Sequence, residues 1–289
     1  MLNIIANPKS FRGKGKKLLG AVTQSLDARG IVYRVFGTRK KGDATEYARA
    51  VTAEAGAKIV VVGGDGTLNE AISGIVHPER CTLGLIPAGT GNDFAAGAGI
   101  PNGLAALDAI INDRTQYVDF IEFTSGRRCM NIAGLGMDVD ILTRCEKMRR
   151  FHKKSKYFFS LIASLIKYRG CGLTASANGV TVSKNALIAA VCNGRQLGGG
   201  IPLCPPAKID DGMLELVVVD CPKRSRLLGA LIMLMRGKLL DLPFAKRITC
   251  EAASIVPHEK CVAQYDGELF ETDALNARIV SGVLKFYRG

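Results

Sequence analysis

The stretch A57-KIVVVGGDGTLNEAIS-G74 decides how this chain folds. Ile59 to Val62 form a short apolar run rich in β-branched residues, and glycines follow at once. Such a run reads as a buried strand. After Gly63, Gly64, Asp65, Gly66 and Thr67 come Leu68, Ala71, Ile72 and Ile75 at helical spacing. A strand, a glycine turn and a helix start aim free backbone N–H groups and the positive end of a helix at a phosphate. Glycines let the backbone approach a ligand with no Cβ in the way. Asp65 adds a carboxylate, which repels phosphate unless a cation lies between them. The loop therefore points to magnesium–nucleotide chemistry. The competing reading of the loop alone is a tight βα turn with no ligand. It is neither a Walker A loop, since no Gly-Lys-Ser/Thr follows, nor the dinucleotide G-x-G-x-x-G, since Asn69 occupies the sixth position.

Working outward, Leu2 to Ala6 form a first strand, followed by the loop NPKSFRGKGKK and a helical pattern to about residue 28. Lysines and arginines crowd that loop, as they would in a phosphate clamp or on a solvated basic surface. Residues 31–36 read as a second strand. Residues 42–56 read as a helix, with Asp43 as N-cap and Glu46 completing a capping box. CTLGLIPAGTGNDFA, residues 81–95, is a fourth strand running into another glycine loop, and 103–113 a further helix. This alternation predicts a doubly wound parallel sheet, which binds ligands beyond the C-terminal ends of its strands. Loops around Asn7, Thr38, Gly64–Thr67 and Gly89–Asn92 should therefore gather on one edge, with Asp65 and Asp93 among them.

Beyond Gln116 the pattern changes to strand-like segments without regular helices between them. Asn178-Gly179 gives a strong hairpin signal. Helical interruptions are expected at 137–169 and 221–240. This part reads as a mostly antiparallel β-sandwich, giving domains 1–116 and 117–289.

Composition narrows the classes. The chain has 289 residues, a formal net charge of +13, and no Trp. The charge favours anionic partners, whether phosphates, nucleic acid or a membrane surface. Aromatic content of 6% and the lack of a known nucleic-acid motif argue against nucleic acid. The nine cysteines form no C-x-x-C pair and read as reduced thiols of a cytoplasmic protein. Three histidines leave little room for a zinc site or a histidine-based triad. No apolar run reaches membrane-spanning length, and the N-terminus lacks signal-peptide features. Residues 144–156, RCEKMRRFHKKSK, precede the apolar YFFSLIASLIKYR. They fit either a membrane-surface helix or a core-facing helix with a solvated end, and residues 226–240 pose the same choice.

GGDGTLNE at 63–70 and PAGTGNDFA at 87–95 resemble the paired motifs of the diacylglycerol kinase catalytic domain family, in its bacterial lipid kinase branch. NPKSFRGKGK and YDGELF (265–270) are similar to that family's first and last motifs, so the resemblance spans essentially the whole chain. NAD kinases share the first element, but their second is an Asn-Thr-Gly loop. The resemblance implies an α/β nucleotide domain (NAD kinase-like and diacylglycerol kinase-like) followed by a β-sandwich, with the active site between them. It implies ATP contacts at Asn7, Pro8, Lys9, Ser10, Phe11, Thr38, Gly64, Asp65, Gly66, Thr67, Leu68, Asn69, Glu70, Thr90 and Glu268. It implies Asp266 as general base and a network of Asp65, Asp93 and Asp119 around Mg2+. A second, structural Mg2+ is implied at the Asp211 carboxylate and the carbonyls of Lys208 and Met213. Phe11 stands where the family usually has Gly, and Leu269 where Pro is common.

The expectation is an ATP- and Mg2+-dependent kinase of a membrane lipid hydroxyl, most simply diacylglycerol to phosphatidic acid. Phosphoryl transfer to an alcohol needs a base and cations for developing charge. Alternatives are a kinase of a sphingoid base, ceramide, phosphatidylglycerol or NAD, or a non-catalytic regulator at a membrane surface. The partners expected are the lipid and an anionic bilayer, met peripherally from the cytoplasm, with no nucleic acid. An exposed sandwich edge could also pair two copies into a homodimer.

Overall fold

A computed structural model describes residues 1–53, 56–147, 164 and 167–288. The N-terminal part alternates β1 (Leu2–Ala6), α1 (Lys14–Asp27), β2 (Tyr33–Gly37), α2 (Asp43–Thr52), β3 (Lys58–Gly63), α3 (Asp65–Gly74) and β4 (Thr82–Pro87). Short helices α4 (Asp93–Gly97) and α5 (Leu107–Ile111) follow. The four strands are parallel in the order β2-β1-β3-β4, with Ile4 opposite Val60 and Ile59 opposite Leu83. β3 is buried from Ile59 to Gly63 because helices cover both faces, which is why its sequence is a continuous apolar run rather than an alternation. Val22, Leu26, Leu68, Ile72 and Phe94 close the core over it.

Asp43 does not cap α2 as expected. The N-cap is Gly42, in the left-handed region at φ 93°, and no side chain caps the helix. The Asp43 carboxylate instead reaches back to accept from the N–H groups of Arg39 (2.7 Å) and Lys40 (3.0 Å). It folds the loop that presents these two basic residues. α2 and α3 meet where Gly74 touches the chain at Thr45: a Cβ at Gly74 would lie 2.2 Å from the Thr45 carbonyl oxygen. Gly74→Ala is expected to lower stability by ~1–3 kcal/mol, the usual cost of overpacking, read by denaturant unfolding. Unchanged stability would contradict this contact.

The C-terminal part contains β5 (Thr115–Phe123), β6 (Arg128–Cys129), β7 (Ile132–Gly136), α6 (Met137–Lys147), β8 (Cys171–Ala177), β9 (Val180–Cys192) and β10 (Leu214–Asp220). α7 (Arg224–Met235), β11 (Ala245–Cys250), β12 (Ala252–Pro257), β13 (Cys261–Tyr265), β14 (Glu268–Thr272) and β15 (Leu275–Tyr287) complete it. Its strands pair antiparallel in the order β14-β13-β7-β9-β8-β12-β15, with β10 joining β9 to β11. The Asn178-Gly179 hairpin is present, with φ of 50° and 74°, as a type I′ turn requires. The segments 180–183 and 185–192 form one long strand, β9, instead of two. The basic and apolar run at 144–169 lies mostly outside the described residues. Among the described residues, no helix is long and apolar enough to cross a membrane.

One strand ties the two parts together. β15 begins against β12, runs antiparallel along β5, and ends parallel to β4, with Lys285 opposite Thr82 and Phe286 opposite Leu83. Gly282, at φ 69°, lies in the register break between Val280 and Leu284 that lets it turn from one sheet region into the other. Leu284, Phe286 and Tyr287 are buried in the N-terminal core. The chain therefore leaves the N-terminal part near Gln116 and returns to it at its last strand.

Candidate active site

The two glycine loops lie against each other at the C-terminal ends of β3 and β4. A Cβ at Gly64 would lie 2.9 Å from the Gly89 Cα, and one at Gly89 2.7 Å from the Gly64 Cα. Only glycine at both positions allows this approach. The hairpin turn between β13 and β14 closes over the same place: a Cβ at Gly66 would lie 2.9 Å from Glu268 Oε1.

Two cavities meet on this floor and share Gly64, Gly66, Gly89, Thr90 and Glu268. The first, of about 460 Å3, is lined also by Asn7, Lys9, Ser10, Thr38, Thr67 and Glu70. Arg39, Lys40 and Lys41 join that wall. Asn7 Oδ1 accepts from the Lys9 N–H at 3.1 Å, which curls the first loop. Ser10 Oγ is buried with no partner. Lys41 Nζ sits 2.5 Å from Glu268 Oε2 and 5.0 Å from the Phe270 ring centroid, joining the α/β part to the hairpin across the cavity.

The second cavity, of about 600 Å3, is acidic on one wall and apolar on another. Asp65, Asp93, Asp138 and Asp266 face Ile132, Ile141, Leu142 and Leu197 across it. Asp93 is buried, and the N–H groups of Gly199 (2.8 Å) and Gly200 (2.8 Å) and the Gln196 amide (3.2 Å) donate to it. Asp65 is the freer of the pair, accepting from the Phe94 N–H at 3.3 Å. Burial pushes Asp65 up to about 6, and the charges of Asp93 and Asp266 add to it.

Asp266 sits at the hairpin turn with φ 50°, followed by Gly267 at φ 87°. Its carboxylate is enclosed and accepts from five donors. Oδ1 takes the N–H groups of Asn131 and Ile132, both at 3.0 Å, and the Cys129 thiol at 2.9 Å. Oδ2 takes the Met130 N–H at 2.9 Å and the Asn69 amide at 3.1 Å. Burial pushes its pKa up and these donors oppose that shift.

The structure separates the expected nucleotide residues. Asn7, Lys9, Ser10, Thr38, Gly64, Gly66, Thr67, Glu70, Thr90 and Glu268 line the first cavity. Pro8 does not, and the side chain of Phe11 lies outside the described residues. Leu68 is a core residue on the inner face of α3. Asn69 is buried and serves Asp266, also donating to the Arg128 carbonyl at 3.1 Å. Asp65 lines the second cavity rather than the first. Asp119 lines neither cavity. It accepts from the Gly212 N–H at 2.8 Å and so holds the 209–212 turn, and burial pushes its pKa up. Asp211 is exposed on that turn, its Oδ1 accepting from the Met213 N–H at 3.1 Å.

Asp138 was not among the expected residues. It is the second residue of α6, and both carboxylate oxygens are buried without a partner. The backbone N–H groups of Val139 and of Asp138 itself, then the Gln264 amide, act to lower its pKa without closing a hydrogen bond, and Gln264 Nε2 is itself unpartnered. Burial dominates and pushes Asp138 up to about 6. Its sequence signal was the junction GLGMD, a glycine-ended strand entering a helix, the same grammar as the GGDGT loop.

Among the described residues, no group of three or more His, Cys, Asp or Glu is disposed to hold a metal ion unaided. Mg2+ does not require one, because it binds through one or two carboxylates together with water and phosphate oxygens. The crowded charge at Asp65, Asp93 and Asp266 fits such a cation. At 208–213 the donors are all hard oxygens, but one Asp211 oxygen is already engaged.

Comparison with known proteins agrees with this geometry. The family model for the diacylglycerol kinase catalytic domain matches residues 1–123, and that for the YegS C-terminal NAD kinase beta sandwich-like domain matches 131–288. A Yersinia enterocolitica protein named "Probable lipid kinase YegS-like" is 34% identical over 67% of each chain. A Staphylococcus carnosus protein named "Diacylglycerol kinase" is 28% identical over 92% of this chain and 87% of its own. The crystal structure of a Bacillus anthracis diacylglycerol kinase shares the fold, with a TM-score of 0.74 and 23% identity over 100% of this chain and 96% of that one. With two abutting cavities, both glycine loops and matches over nearly its full length, this chain belongs to the diacylglycerol kinase catalytic-domain family that includes the YegS-like lipid kinases.

Proposed function

We propose that the protein transfers the γ-phosphate of ATP to the hydroxyl of a membrane lipid, most simply diacylglycerol to yield phosphatidic acid. One observation carries the reading: a basic cavity and an acidic, apolar-walled cavity share a single glycine floor. The basic cavity suits a polyanionic nucleotide, and the apolar wall suits a lipid alcohol. Backbone N–H groups at Gly64–Gly66 and Thr90, with the start of α3, favour a phosphate between them, while the Gly89 N–H is spent on Asn92 Oδ1 at 2.8 Å. Asp65, with the charge of Asp93 beside it, would hold Mg2+, which neutralises phosphate charge when bound. Asp211 and the carbonyls of Lys208 and Met213 would hold the structural ion.

Asp266 serves as the general base. Its five donors orient the carboxylate and oppose the upward push of burial on its pKa, and they fill about four lone-pair sites. The acceptor hydroxyl therefore takes the place of a side-chain donor, the Cys129 thiol or the Asn69 amide, because the three backbone donors are fixed. A second reading rests on Asp138. No hydrogen bond closes on its carboxylate oxygens, and a pKa of about 6 suits a base working near neutrality. Comparing Asn replacements at 138 and 266 at saturating ATP separates the two: the base is the position whose replacement costs the larger factor in turnover, expected at 266.

The function is tested with labelled ATP, Mg2+ and mixed micelles holding each candidate acceptor in turn. Label in phosphatidic acid supports the reading. Label in another lipid redirects the acceptor. Label in NAD alone, or in nothing, overturns it. On the donor side, Arg39→Ala with Lys40→Ala is expected to raise KM for ATP about tenfold through lost charge-assisted contacts, with little change in kcat. An unchanged KM would remove these residues from the nucleotide site.

A further inference from the structure

We propose that the outer face of α7 is where the enzyme rests on an anionic bilayer, an inference that builds on the lipid kinase reading above. α7 buries Leu227 and Ala230 against the sheet. On its other side Leu228, Ile232 and Met235 are 61%, 44% and 57% exposed. Their spacing of four and then three residues makes one stripe along the helix. No other helix among the described residues carries such a set.

Charge surrounds the stripe with one sign. Arg224 and Arg236 continue the row of Leu228 and Ile232 at intervals of four, so a cation stands at each end of it. Lys223, Arg226 and Lys238 flank the helix, and residues 221–240 contain no Asp or Glu. The nearest acid before it, Asp220, is paired with Lys184 at 3.0 Å; Asp241 follows its last turn. Asn185 draws in a further strand of charge. Its carbonyl accepts from the Cys221 N–H and its amide donates to the Arg169 carbonyl, both at 2.8 Å, so exposed Lys167 and Arg169 lie beside the start of α7. An apolar ridge rimmed by basic side chains matches the acyl–headgroup boundary of an anionic membrane. A second copy of this chain would have to bring the same positive charge to the contact.

The position suits the substrate. α7 shares its hydrophobic layer with Ile132, Met137 and Ile141, and β7 and α6, which carry them, also wall the acidic cavity. A membrane met by this layer is one helix away from the cavity that takes the lipid.

The test uses the full chain, vesicles of phosphatidylcholine with and without phosphatidylglycerol, no ATP and no diacylglycerol. The triple variant Leu228→Ser, Ile232→Ser, Met235→Ser is expected to lose at least about tenfold in affinity for the anionic vesicles, while its melting and ATP binding match wild type. Binding by the wild type should also fall as salt rises from roughly 0.1 to 0.5 M, the range over which surface charge is screened. Because the chain has no Trp, Ile232→Trp supplies a single indole reporter, whose emission should shift to the blue on anionic vesicles and be quenched by brominated acyl chains. Wild-type affinity in the triple variant, an unshifted indole emission from the Ile232→Trp protein, or absence of vesicle binding by the wild type would each overturn the proposal. So would a dimer that the triple variant dissolves with vesicle binding intact. Docking without phosphorylation of any lipid would fail the kinase reading alone, and phosphorylation with docking unaffected by the variant would fail this one alone.

Discussion

Asp266→Asn is expected to bind ATP within about twofold of wild type and to turn over at least ~10²-fold more slowly, the usual range for loss of a general base. Asp266 lies off the nucleotide cavity, so the donor side is left intact. The substitution also places an NH2 group against donors. With Oδ1 kept toward Asn131, Ile132 and Cys129, the new amide faces the Met130 N–H and the Asn69 amide. That mismatch leaves buried donors unpaired and costs ~1–3 kcal/mol of stability. Pairing it with Asn69→Asp gives the new amide an acceptor. The double variant should regain part of the lost stability, since Asn69→Asp also gives up the donation to the Arg128 carbonyl, without regaining turnover. Full turnover in either variant would show that the proton leaves by another route.

Asp138→Asn is expected to slow turnover by more than about tenfold and, unusually for an active-site change, to stabilise the fold at neutral pH. The folded-state pKa of Asp138 is about 6, raised from an ordinary value of 3.8 by burial. Between those values the folded protein keeps a proton that the unfolded chain has released, so wild-type stability falls as pH rises through this window. Above about pH 6 the whole cost of a buried, unpartnered charge is present, up to ~3 kcal/mol for a shift of this size. Asn carries no charge, so its advantage should appear at about pH 7.5 and fade by about pH 4. Denaturant unfolding at the two pH values measures it. A variant no more stable than wild type at the higher pH would mean that the Asp138 carboxylate is already neutralised.

Much of the donor side was legible in the residues, because glycine loops after apolar strands leave few geometries open. The hairpin at Asn178-Gly179 was legible because Asn-Gly between alternating strands favours a type I′ turn. Other features depended on distant partners. β15 returns to β4 across some two hundred residues, and nothing local in ARIVSGVLKFYRG marks that choice. Asp43 had the spacing of a cap, yet the glycine before it took the helix start and freed the carboxylate for the loop. Within GGDGTLNE, the phase of α3 turns Leu68 into the core and Asn69 toward Asp266, which a motif read as one unit does not separate. Asp119 and Asp93 look alike in sequence, and only the fold sends one to the 209–212 turn and the other to the cavity. Asp138 was missed because its loop matched no quoted motif, though its strand–glycine–helix junction repeats that of Asp65.

The central claim is that phosphate crosses a shared glycine floor from a basic cavity to an acidic one. A crystal structure with a non-hydrolysable ATP analogue and Mg2+ tests it most directly. The account expects the nucleotide among Asn7, Lys9, Thr38 and Arg39, with its terminal phosphate on the backbone of Gly64–Gly66 and Thr90 and a cation at Asp65. A nucleotide bound elsewhere, or one whose terminal phosphate points away from Asp65, Asp138 and Asp266, would contradict it.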